Sequence, residues 1–172
     1  MKNESIVEVY HAGTDIVEKP LCDVSRKNLD FGQGFYLTDI YDQAVNFARA
    51  KSVNRKKPPV INVYLLRKTD LLREARNIIF DSYDENWLDF IVACRTGRDV
   101  SADYDYVEGG VANDRVIDTI NLYMRGFIPK ERALRALIYL KPNNQICILN
   151  QAMADRFLEF QNYLKLEGNG IL

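Results

Sequence analysis

Histidine is almost missing from this sequence: His11 is the only one among 172 residues. That rules out a metal site built from several histidines, and no metal ion is expected. Any serine–histidine or cysteine–histidine nucleophile would have to use His11. Cysteine is scarce as well. Cys22, Cys94 and Cys147 are odd in number and far apart, which fits neither a disulfide framework nor a zinc site and suggests a reducing interior. No apolar run reaches the roughly 18 residues of a membrane span. The start, MKNESIVEVYHAG, lacks the apolar core of a signal peptide. A cytoplasmic protein with no membrane partner is the expectation. Neither sign of charge dominates: 23 basic residues face 24 acidic ones, a net charge of −1. Bulk electrostatics therefore give no argument for a nucleic-acid partner. Phosphate loops are absent too. GQG at 32–34 lacks the third glycine of a dinucleotide fingerprint, and no GxxxxGK occurs.

What is present suggests one α+β domain over residues 1–172. IVEVYH (6–11) alternates like a strand, and residues 12–32 are a polar connection. GFYLT (34–38) is a short strand. Asp39 is placed to cap a helix to about Ser52, with Ile40, Ala44, Phe47 and Ala48 facing inward. VINVYLL (60–66) is a buried strand. A capping box from Ser82 to Glu85 opens a helix that presents Trp87, Leu88, Ile91 and Val92 on one face. Residues 104–111 suggest a strand. Asn113 is placed to cap a helix through Met124, and a further helix covers KERALRALIYL. NQICILN (144–150) is a strand, and residues 152–165 have the pattern of an amphipathic helix.

Three stretches carry candidate chemistry. YHAGT places His11, Gly13 and Thr14 at a strand end. DFGQGFYLTDIYDQAVNFA places Tyr36 before a helix that bears Gln43 and Phe47. NQICIL places Gln145 at the start of a strand. A flat cationic ring binds well between aromatic faces, by stacking and cation–π attraction, and Tyr36 and Phe47 are suited to hold one. Glu108 and Asp114 are further carboxylates. Their plainer roles are an exposed strand residue and a helix first-turn charge. The basic run Arg49, Lys51, Arg55, Lys56, Lys57 suits a pyrophosphate or a polynucleotide target, but a solvated helix end and loop is its plainer role. Asp99, Asp103, Asp105 and Glu108 suggest a solvated acidic loop.

VYHAGTDIVEKP, SRKNLDFGQGFYLTDIYDQAVNFA, YDYVEGGVANDRV and NQICIL together resemble an uncharacterised bacterial family of the ADP-ribosyltransferase superfamily, over residues 7–160. The resemblance implies a split β-sheet core with flanking helices. It implies NAD as co-substrate and a macromolecular target. In that scheme His11 holds the adenosine-side ribose and the Gly13 backbone, with Thr14, meets the nicotinamide amide. Tyr36 and Phe47 hold the nicotinamide, and Gln43 contacts its amide. Gln145, with Tyr36 and His11, makes the catalytic set. Relatives usually carry glutamate where Gln145 stands. A fixed carboxylate there stabilises the positive charge that develops as nicotinamide leaves, and an amide does not. Two functions follow from the resemblance. One is an ADP-ribosyltransferase, of a kind often found as a toxin or effector beside a small neutralising protein partner. The other is a degenerate domain that binds NAD, ADP-ribose or a protein partner.

Overall fold

A computed structural model describes residues 6–138, 140 and 143–167. The chain is mixed α+β, with six α-helices and two sheets among the described residues. The first sheet is antiparallel, in the order β1 (Val7–Gly13), β3 (Val60–Leu66), β7 (Leu158–Lys165). Strand β3 lies in its centre and is buried along almost its whole length, which is why it reads as a nearly continuous apolar run. Its one polar residue, Asn62, is fully satisfied. Its Oδ1 accepts from Val17 N (2.8 Å) and its Nδ2 donates to Asp15 O (3.0 Å), which ties down the start of the connection after β1.

The second sheet has the order β2 (Phe35–Leu37), β6 (Gln145–Ile148), β5 (Tyr106–Gly109), β4 (Asn77–Ile79), and only the β4–β5 pair is parallel. The two sheets share one hydrophobic core, with Val9, Tyr64 and Leu66 of the first packed among Phe35, Leu37, Tyr106, Ile146 and Ile148 of the second, and one backbone bridge joins them. Tyr10 N donates to Thr38 O (2.8 Å) and Thr38 N returns a bond to Tyr10 O (3.0 Å).

Helix α1 runs from Tyr41 to Arg55, later at both ends than the sequence suggests. Asp39 does not cap it. Thr38 Oγ1 accepts from Ile40 N instead, and the Asp39 carboxylate accepts from Asn144. Lys56, in the left-handed region, ends the helix. Ala44 and Ala48 pack on the first sheet with Ala12, Ile61 and Val63, and these small side chains let the helix sit close. Phe47 and Ile40 are not in that core; both are partly exposed.

Helix α2 (Lys68–Glu74) and strand β4 lie in a stretch where the sequence pattern suggests no element. In α3 (Glu85–Arg95) Trp87, Leu88 and Ile91 are fully buried, while Val92 is only half-buried. Its cap is Asp84, which accepts from Trp87 N (2.9 Å), rather than a Ser82–Glu85 box. Asn113 caps α4 (Asp114–Met124) as its position suggests, accepting from Val116 N. Helix α5 covers Lys130–Leu137; position 139 of the expected helix lies outside the described residues.

The largest departure is at 152–165. Helix α6 stops at Phe157, and the chain continues as β7 along β3. Leu158 and Phe160 point to one side of the pleat, and Phe160 packs edge-on against Tyr64 at 5.6 Å. A register shift at Val63/Tyr64 absorbs an extra residue. The helical spacing is real, but pairing with an otherwise open edge of β3 overrides it. Among the described residues no helix is long and apolar enough to cross a membrane.

The turn before β2 depends on Gly32. Its φ is +83°, and a Cβ there would lie 2.2 Å from Ser101 Oγ. Gly32→Ala is expected to destabilise the fold by about 2 kcal/mol or more, lowering Tm by about 4–8 °C. Adding Ser101→Gly should recover part of that loss by relieving the clash. Thermal melts of the two variants check this; an unchanged Tm in Gly32→Ala would mean the turn is not held as described.

Candidate functional site

Past the Tyr10–Thr38 pair the β1–β2 ladder stops. The His11 imidazole takes its place. Nδ1 donates to Tyr36 O at 2.8 Å, and the ring stacks on Phe35 at 4.5 Å between centroids. A carbonyl only accepts, so the proton sits on Nδ1 and Nε2 is left as an acceptor. Burial pushes the His11 pKa down to about 4, with Lys51 and Arg55 adding to the effect against the bond to Tyr36. His11 is therefore neutral at physiological pH.

Where the two strands part, a cleft of about 850 Å³ opens. His11, Tyr36, Gln43, Phe47 and Gln145 all line it. Gly13 and Thr14 lie beside it without lining it. The register explains why for the glycine. Tyr10 spends its backbone bonds on Thr38, so Ala12, two residues on, turns its N–H and C=O to the same side. Gly13 faces Val60 of β3. Thr14 Oγ1 donates to Asp15 and accepts from Arg55 Nη1 (3.4 Å).

Helix α1 gives the cleft one wall. Gln43, Phe47, Lys51 and Arg55 recur every four residues and form one stripe about 18 Å long. The stripe starts with an acceptor. Gln43 Nε2 donates to Asn144 O (2.8 Å), which fixes the amide and leaves Oε1 buried and unpartnered. An orphaned buried acceptor is costly unless a ligand donor meets it. Phe47 follows as a partly exposed ring. Lys51 Nζ donates to Ala12 O at 2.7 Å, and burial lowers its pKa. Arg55 closes the stripe. Lys51 and Arg55 thus line the cleft; Arg49, Lys56 and Lys57 do not.

Tyr36 holds the opposite wall. Its hydroxyl donates to Gly32 O (2.5 Å) and accepts from Phe31 N (3.1 Å), so the ring is locked against the glycine turn. Burial drives its pKa far up, and the phenol stays neutral. Gln145, opposite Gly109 in the sheet, ends the cleft.

Among the described residues no free carboxylate lines this space. Asp30 does line it, but Arg95 Nε and Nη2 both bond its Oδ1, at 2.8 and 2.6 Å. Glu108 is not an exposed strand residue. It is buried, accepting from Lys68 (2.8 Å), Asn144 (2.9 Å) and Tyr106 (2.6 Å), and it does not line the cleft. Asp105 is not in a solvated loop either. It is buried against Arg76 and Asn150, and the Arg76 hydrogen bond leads in holding its pKa far below the usual carboxylate range. The Asp114 side chain lies outside the described residues. No group of three His, Cys, Asp or Glu able to hold a metal occurs among the described residues.

Sequence reasoning missed Ala12, Asn144 and the Asp30–Arg95 pair as lining or supporting residues, and ranked a solvated helix end above a ligand role for Lys51 and Arg55. The four-residue spacing of the α1 stripe was a usable signal. Nothing local links Asp30 to Arg95, 65 residues away. Asn144 is the junction of the site: its O accepts from Thr38 and Gln43, and its Nδ2 donates to Asp39 and Glu108.

The family described as protein of unknown function (DUF3990) matches residues 7–160, and the chain belongs to it. No curated protein and no solved structure matches the chain.

A single histidine makes a clean probe. Its proton NMR signal should titrate with a midpoint near 4 rather than the ordinary 6.5. Because the folded value lies below the unfolded one, the linked stability is fully present above about 6.5 and is lost as pH falls toward about 4. A midpoint at 6 or above would show a solvated imidazole and remove it from the β1–β2 junction.

Proposed function

We propose that this family member binds NAD in the cleft and transfers ADP-ribose to a macromolecular target, on a split sheet of the ADP-ribosyltransferase kind. The observation that carries the reading is the α1 stripe facing His11 and Tyr36. It offers, in order, a fixed buried acceptor, an aromatic ring, an ammonium and a guanidinium. NAD offers groups to match: a carboxamide donor, a flat cationic ring and a diphosphate. Gln43 Oε1 accepts from the carboxamide. Phe47 and Tyr36 flank the ring. Lys51 and Arg55 attract the diphosphate. His11 Nε2 accepts from a ribose hydroxyl. Gln145 hydrogen-bonds the reacting ribose.

In the transfer step the bond from the ribose anomeric carbon to the nicotinamide nitrogen breaks. Nicotinamide leaves as a neutral base, keeping the electron pair. A nucleophile on the target forms the new bond to that carbon and gives its proton to water. The cleft holds the substrate for this step but offers little charge to stabilise it, because Gln145 is neutral and Asp30 is bound by Arg95. That specific feature favours a second reading, in which the domain binds NAD or ADP-ribose without turnover.

At a hundred times the dissociation constant, NAD should stabilise the protein by ~2.7 kcal/mol. For this length that raises Tm by about 5–10 °C. Phe47→Ala, at a partly exposed position, should fold normally and lose most of the shift. Gln145→Glu should raise NAD hydrolysis at least about tenfold by supplying the missing charge. Thermal melts and nicotinamide release measure these. No shift with millimolar NAD would sink the first reading and no shift with either NAD or ADP-ribose would sink both, while a shift without label transfer to a lysate would leave only the second.

A further inference from the structure

We infer that the macromolecule served by this cleft is a single-stranded polynucleotide, lying in a basic trough that continues from the cleft mouth; this rests on the NAD reading above. The cleft adjoins a second hollow of about 580 Å³, with which it shares Arg26, Leu29, Asp30 and Arg95. The second hollow shares Lys27 and Asn28 with a third, of about 550 Å³, which extends to Arg76, Arg98 and Tyr104. The three form one continuous path along residues 26–33.

Charge along this path is lopsided. Eight basic residues line it against three acidic ones, although the whole chain carries 23 and 24. Two of the three acids are occupied, Asp30 by Arg95 and Asp105 by Arg76. Lys19, Arg26, Lys27 and Arg98 are exposed, and among the described residues none has a carboxylate within ion-pair distance. A row of unpaired cations in a concave path is matched by a chain with one negative charge per repeat, and binding is driven by release of its counterions. The Tyr104 ring lines the third hollow, outside the NAD cleft, where an unpaired base can stack. A duplex does not enter such a recess, because its bases are stacked and paired; a single strand brings its bases to the cleft without that cost. Net charge conceals the path because the compensating acids lie elsewhere on the surface.

Fluorescence anisotropy with labelled single strands of about 12 nucleotides, DNA and RNA, tests this between about 20 and 200 mM salt. Lys27→Glu with Arg98→Glu is the informative variant, since both residues are exposed and neither lines the NAD cleft. The wild type should bind the strand with a steep salt dependence. The double variant should bind at least about tenfold more weakly at 100 mM salt, with a log–log slope lower by about two. Its NAD thermal shift should be unchanged. With labelled NAD and a lysate, transferred label should be released by nuclease. No strand binding at about 20 mM salt, equal binding by the double variant, displacement by polyglutamate at equal charge, or protease-released label would each overturn the inference. The polyglutamate and protease outcomes would point to an acidic protein surface instead. Strand binding without any NAD shift would uphold the trough and remove the NAD reading.

Discussion

One pair of backbone hydrogen bonds, between Tyr10 and Thr38, decides the shape of everything around it. It bridges two sheets that also share one hydrophobic core. Extending the ladder by one more pair would close the cleft. What stops it is His11, whose imidazole bonds the Tyr36 carbonyl that the ladder would have used. The ring also stacks on Phe35, so the wedge is held from two directions. Its neutrality follows from its position. A buried imidazole beside Lys51 and Arg55 gives up its second proton well before physiological pH. The tautomer is set by the Tyr36 carbonyl, and Nε2 is left as an acceptor.

The cleft walls repeat that economy. Helix α1 carries two stripes one residue out of phase. Ala44 and Ala48 seat it on the first sheet. Gln43, Phe47, Lys51 and Arg55 then face the gap. Asn144 links the wall to the second sheet and orients Gln43, while Glu108 and Lys68 bury their charges behind it. Carboxylates near the site are thus committed to structural partners. Open positive charge is left to line the cleft and its continuation.

Several parts of this were legible from the residues alone. The strands at β1, β2, β3, β5 and β6 announce themselves by alternation or by apolar runs, and Asn113 marks the start of α4. His11, Tyr36, Gln43, Phe47 and Gln145 were grouped by the family resemblance rather than by any local pattern, and the structure places all five on one cleft. Other parts were not legible, for definite reasons. Residues 158–165 carry a helical spacing, yet β3 needed a second partner and took them as a strand. Asp105 and Glu108 look like surface charge until Arg76, Lys68 and Asn144 arrive from elsewhere in the chain.

The sequence by itself determined the α+β composition, the scarcity of histidine and the polar–aromatic–basic order along α1. Those are properties of local order, set by side-chain type and spacing. Only the tertiary structure decided which carboxylates were spent, which backbone edge faces the cleft and where positive charge gathers. Each of those depends on partners tens of residues apart. A one-residue change of register would have turned Gly13 rather than Ala12 toward the cleft, and no local pattern fixes that choice.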